Sequence, residues 1–134
     1  LLAEVAKHQA AIDGDPTNIE ALVGRGVAYV GLGRHELAMA DFDEAIRLDP
    51  DRPGAYFERA VANGHIGDFE RSVEDYTRAV RLDPDYALAY ANRALAYVLL
   101  GLDAKAQQDV DKAVALGVDE AQLADRVRAL REKR

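Results

Sequence analysis

Cysteine is absent from the 134 residues, which removes disulfides, thiolate metal sites and thiol nucleophiles together. Serine occurs once, at Ser72, so a serine nucleophile would have to be that residue. No run of about eighteen apolar residues exists to span a bilayer, and Leu1-Leu2-Ala3-Glu4-Val5 lacks the basic start and long apolar stretch of a signal peptide. Positive charge is also in deficit, with 17 basic residues against 24 acidic ones and a formal charge of -7. Phosphate backbones and anionic membranes are repelled by such a surface, which argues against nucleic acid and against direct membrane binding.

What the chain does contain is a period. Pro16, Pro50 and Pro84 are 34 residues apart, and so are Gly33, Gly67 and Gly101. Arg25, Arg59 and Arg93 follow the same spacing, as do Leu22, Tyr56 and Tyr90, then Gly26, Ala60 and Ala94. Phe42, Tyr76 and Val110 form another such column beside Ala45, Ala79 and Ala113, and Leu48-Asp49-Pro50 recurs as Leu82-Asp83-Pro84. Self-similarity at 20–50 residues is the mark of stacked supersecondary units.

Within a period, apolar residues at three- and four-residue spacing predict two helices of about 13 residues each. Glycine at 33, 67 and 101 suits the left-handed residue that ends a first helix, Asp68 can cap the following one, and Pro50 and Pro84 stop the second helices. Small residues at 26, 60 and 94, facing alanines at 45, 79 and 113, let the paired helices approach closely. Asp119 followed by Gln122 reads as a capping box for a last helix, whose Leu123, Val127 and Leu130 form one apolar stripe over the third repeat.

These columns resemble the tetratricopeptide repeat, and the resemblance covers nearly the whole chain. It implies an all-α fold, a right-handed α-solenoid of helix-turn-helix hairpins with a C-terminal capping helix. The parse is one domain, 1–134, in which 1–18 form the second helix of an incomplete repeat. Full repeats span 19–52, 53–86 and 87–120, and 121–134 form the cap. The missing initiator methionine suggests part of a longer chain. Asn63 stands where the pattern has tyrosine, Ser72 where it has alanine, and Val118 where it has proline.

Ser72 therefore reads as packing. His8, His35 and His65 share no helical spacing and read as separate surface or groove histidines with no metal role. Asp49-Pro50-Asp51 and Asp83-Pro84-Asp85 lack the further oxygen ligands of a calcium loop and read as helix-ending turns. The Arg25/Asp41, Arg59/Asp75 and Arg93/Asp109 columns read as ion pairs between the two helices of each repeat, worth about 0–1 kcal/mol apiece if exposed. Asp41, Asp43, Glu44, Glu70, Glu74, Asp75, Asp109 and Asp111 give the second helices an acidic, solvated side. Arg126, Arg128, Arg131, Lys133 and Arg134 reverse that sign, which suits either a membrane or acidic partner or, as the plainer reading, the dipole at the end of the last helix. No catalytic, cofactor or metal residue is expected, and the chain is not expected to be an enzyme.

In the family, the first helices line a concave groove that receives a peptide or a partner helix. By that resemblance the partner-binding residues are Val23, Val27 and Val30; Phe57, Glu58, Val61 and His65; and Leu88, Ala91, Asn92, Leu95 and Leu99. The lining is mostly apolar, so the expected partner is a protein segment with aliphatic or aromatic side chains. Burying four to six of them is worth roughly 6–15 kcal/mol gross, which association costs reduce to about -8 kcal/mol, a micromolar affinity. One family variant clamps the C-terminal carboxylate of heat-shock chaperones at positions that here are Val23, Val27, Glu58, Leu88 and Asn92. With no cation and one glutamate among them, chaperone tails are not the expected ligand. The expected function is a non-catalytic scaffold or adaptor. The alternative is a docking or regulatory domain of a larger enzyme or of a secretion or membrane assembly. Self-association through the N-terminal end and a cytoplasmic location, or a periplasmic or membrane-anchored parent chain, complete the expectations.

Overall fold

The computed structural model describes residues 1–134 as eight helices and no strands: α1 (Leu2–Gly14), α2 (Ile19–Gly31), α3 (His35–Leu48), α4 (Pro53–His65), α5 (Phe69–Leu82), α6 (Ala87–Leu99), α7 (Asp103–Ala115) and α8 (Glu120–Lys133). Each packs on its neighbours in sequence, and α8 folds back mainly onto α6. The chain is an all-α solenoid of helical hairpins. No helix is long and apolar enough to cross a membrane.

The turns follow from their residues. Gly33, Gly67 and Gly101 have φ of 75°, 82° and 76°, where a β-carbon would be strained, and each ends a first helix. Asp68 and Asp119 accept the backbone N–H of Arg71 and Gln122, the cap that pairs an orphan donor at a helix start. After α3 and α5, the carboxylates of Asp49 and Asp83 accept the N–H of Asp51 and Asp85. These aspartates therefore shape turns, and Pro53 then opens α4 at a position where its missing N–H is not needed.

The core is divided into small clusters at the seams between helices, as expected when each unit covers only its neighbours. Phe42 is fully buried with Ala38 and Ala62. Tyr56, Ala60, Tyr76, Ala79, Val80 and Ala89 join α4, α5 and α6, and Ala91, Leu95, Ala113 and Leu123 join α6 and α7 to α8. A β-carbon at Gly26 would lie 2.5 Å from Cε1 of Phe42, so glycine is what allows α2 and α3 their separation. Ser72 is buried, and its hydroxyl donates to the carbonyl of Ala60 at 2.8 Å.

The arginine columns do more than join two helices. Arg25, Arg59 and Arg93 each form a two-pronged pair with Asp41, Asp75 or Asp109, and the three aspartates are buried. Each guanidinium also donates backwards, to Gln9, Asp43 or Thr77, on the helix that precedes its own. Every arginine thus ties three consecutive helices. Asp41, Asp75 and Asp109 therefore leave the solvated face expected of them, and the scale of exposed pairs gives way to that of buried charges.

Candidate partner-binding groove

One face of α4 and α6 frames a cavity of about 270 Å³. Val61 and His65 come from α4, and Asn92, Leu95 and Leu99 from α6. Each set lies at three- or four-residue spacing, which brings its side chains onto one side of a helix. The floor is built by α5, through Phe69, Ser72 and Tyr76, and the far wall by Arg126 and Leu130 of α8. Leu123, Arg126 and Leu130 share a face, so the contact of Leu123 with Ala91 and Leu95 carries Arg126 to the rim.

Burial pushes the Tyr76 hydroxyl up to about 12, while the nearby Asn92 amide and Arg126 guanidinium act in the opposite sense. The group is neutral across the physiological range and can both donate and accept. Glu58 stands one turn before Val61 on α4. Burial raises its carboxyl above the ordinary value, and its charge bears on Tyr76 and Tyr86. Desolvation without an ion-pair partner makes its charged form costly.

Of the twelve residues named from the sequence, Val61, His65, Asn92, Leu95 and Leu99 line this cavity. Leu88 and Val27 are exposed at 59% and 42%, but neither lines it. Phe57 is stacked on Tyr86 at 5.0 Å and meets Tyr76 edge-on at 5.7 Å. Ala91 is buried against α8, and Val23 and Val30 pack against the Phe42 cluster.

Three readings change. The cavity has a cation, Arg126, which the sequence offered as a helix-dipole charge or as part of a basic end for an acidic partner. Its companions Arg131 and Arg134 pair with Asp103 at the start of α7 and so tie the end of α8 to it, whereas Arg128 pairs with Asp125 within α8. The histidines are not all separate: His65 at the cavity stacks on His35 of α3, with ring centroids 5.7 Å apart. His8 lies 3.7 Å from Glu4, four residues before it on α1. Phe69, Ser72 and Tyr76 were missed because their columns belong to the packed second helices, and Leu130 because it read only as a covering residue.

A tetratricopeptide-repeat profile matches residues 19–52, and a TPR-repeat profile matches residues 65–101. No curated protein matches the chain. Among solved structures, MamA superimposes with a TM-score of 0.77 at 22% identity, covering 96% of this chain and 83% of that one. The first TPR of Spaghetti (RPAP3), bound to the HSP90 peptide SRMEEVD, gives a TM-score of 0.79 at 23% identity, over 89% of this chain and 94% of that one. The second TPR domain of human RPAP3, in complex with the HSP70 peptide SGPTIEEVD, gives 0.73 at 27% identity, over 79% and 88%.

Proposed function

The chain belongs to the tetratricopeptide-repeat family, and on that premise we propose that it is a non-catalytic scaffold holding a peptide or helix of a partner protein against α4, α6 and α8. The observation that carries the reading is the cavity itself. Val61, Leu95, Leu99 and Leu130 offer an apolar seat, with Asn92 and Arg126 at its edge. An aliphatic or aromatic side chain fits the seat, and an acidic group three or four positions away on the partner fits Arg126. TPR neighbours hold peptides in their solved complexes, which supports a protein partner.

The partner's chemistry differs from that of those peptides. SRMEEVD carries three acidic side chains, whereas this cavity has one guanidinium, Arg126, and the desolvated Glu58 stands one turn before Val61 on α4. A second acidic group would meet a like charge in a site of low polarity, a mismatch that favours partners with a single acid beside an apolar anchor.

Selection of random displayed peptides on the protein, followed by calorimetry, tests this. Selected peptides should combine one apolar anchor with one acidic residue and bind in the micromolar range. Arg126→Glu, on an exposed helix face, should weaken them by about tenfold or more, and Val61→Glu should abolish binding with the helical circular dichroism intact. Peptides that bind both folded variants as well as they bind the parent would sink the groove reading.

A further inference from the structure

A second cavity, of about 250 Å³, opens between α3, α4 and α5 beside Arg59, Asn63, Arg71, Asp43 and Met39. Asn63 lies only two residues from Val61, which on a helix is nearly the opposite side. The cavity is therefore off the groove, and its meaning is independent of the groove reading.

Comparison within the chain shows what is different here. Asn63 occupies the column of Tyr29 and Tyr97. In the third repeat, the Arg93 guanidinium lies between two rings, 5.6 Å from the centre of Tyr90 and 5.7 Å from that of Tyr97, and Lys105 reaches the Tyr97 ring at 5.8 Å. One period earlier these residues are Arg59, Tyr56, Asn63 and Arg71. Arg59 has the Tyr56 ring at 5.8 Å, but on the Asn63 side there is the cavity where repeat three has its second ring. Asn63 is 2% exposed. Its amide nitrogen faces Asp75 at 3.3 Å, which fixes the orientation of the side chain, and its carbonyl oxygen has no hydrogen-bond partner. An orphaned buried acceptor of this kind is uncommon and costly.

We propose that this slot binds the tyrosine side chain of a partner protein. The ring completes the stack on Arg59 that Tyr97 makes on Arg93, with a cation-π attraction to the two arginines. The phenol enters hydroxyl-first and, with a small outward movement of the side chains that close over it, donates to the Asn63 oxygen, which is unpaired and shut from solvent in the free protein. The volume lies below the roughly 300–1,000 Å³ usual for small-molecule ligands and fits one side chain.

Titration with N-acetyl-tyrosinamide, followed by NMR of the Asn63 side-chain amide and the Arg59 Nε–H, provides the test. Saturable shifts at both groups in the millimolar range are expected, with N-acetyl-phenylalaninamide weaker by roughly two- to tenfold, the worth of one net hydrogen bond. Asn63→Tyr fills the slot from within and should remove the binding while raising the Tm. Asn63→Ala keeps the slot but removes the acceptor, and should erase the preference for tyrosinamide even if the tyrosine variant does not fold. Absence of saturable shifts at these two groups, undiminished binding to folded Asn63→Tyr, or an intact preference in Asn63→Ala each overturns the assignment.

Discussion

Arg59 and Asp75 allow the weight of the arginine ladder to be measured, because the two partners are unequally buried. Arg59 donates Nε and Nη2 to Asp75 at 2.9 and 2.8 Å and Nη1 to Asp43 at 3.0 Å. The Asp75 side chain is 7% exposed and that of Arg59 is 22%. Arg59→Met leaves the buried carboxylate with only the Asn63 amide, a stranded charge that costs about 3–5 kcal/mol. Asp75→Ala instead leaves a guanidinium that reaches solvent and keeps Asp43, so the loss should be about 1–3 kcal/mol. Against a total stability of about 5–15 kcal/mol, the first change removes a large share of the fold. Equilibrium unfolding in urea at constant m measures both, and the double variant should cost less than the sum of the singles because the partners are coupled. If Arg59→Met stays within about 1 kcal/mol of the parent, or Asp75→Ala is the more damaging, the ladder is not a buried three-helix tie.

Two further outcomes follow from the packing and from the groove. Gly26→Val should destabilise by about 1–3 kcal/mol, because its β-carbon would overlap the Phe42 ring, which is fully buried; a midpoint equal to the parent's would show that α2 and α3 can part freely. Glu58→Gln should raise the Tm near neutral pH, since burial lifts the folded carboxyl above its ordinary value of 4.5. A raised carboxyl favours folding below that value and loses its advantage as the pH rises, so the gap between variant and parent should close on acidification, and a gap that widens there contradicts the burial.

The fold was legible because a solenoid repeats its steric demands. A glycine is required wherever a first helix ends in the left-handed region, so Gly33, Gly67 and Gly101 display the architecture in one dimension. A small residue is required wherever two helices cross closely, as the burial of Ala60, Ala94, Ala45, Ala79 and Ala113 shows. The backward bond of each arginine was harder to see. Its acceptors are Gln9, Asp43 and Thr77, three side chains that share an oxygen and the same register but no charge or size.

The groove was legible only where it obeys the period. Val61, His65, Asn92, Leu95 and Leu99 lie at helical spacing on first helices, whereas Arg126, although it stands one period after Asn92, belongs to α8, which the sequence presents as a cap and not as a groove helix. His35 and His65 are 30 residues apart, neither one helical turn nor one repeat, so only the stacking of α3 on α4 brings their rings together. The positions that break the pattern are informative for the same reason that those keeping it are. Repetition predicts what each column must do for its neighbours, so a residue that abandons the duty leaves a local trace. Ser72 in an alanine column adds a hydrogen bond across the hairpin. Asn63 in a tyrosine column leaves a cavity and an unpaired oxygen. In a chain whose scaffold is copied three times over, such departures mark the columns that do something other than stack.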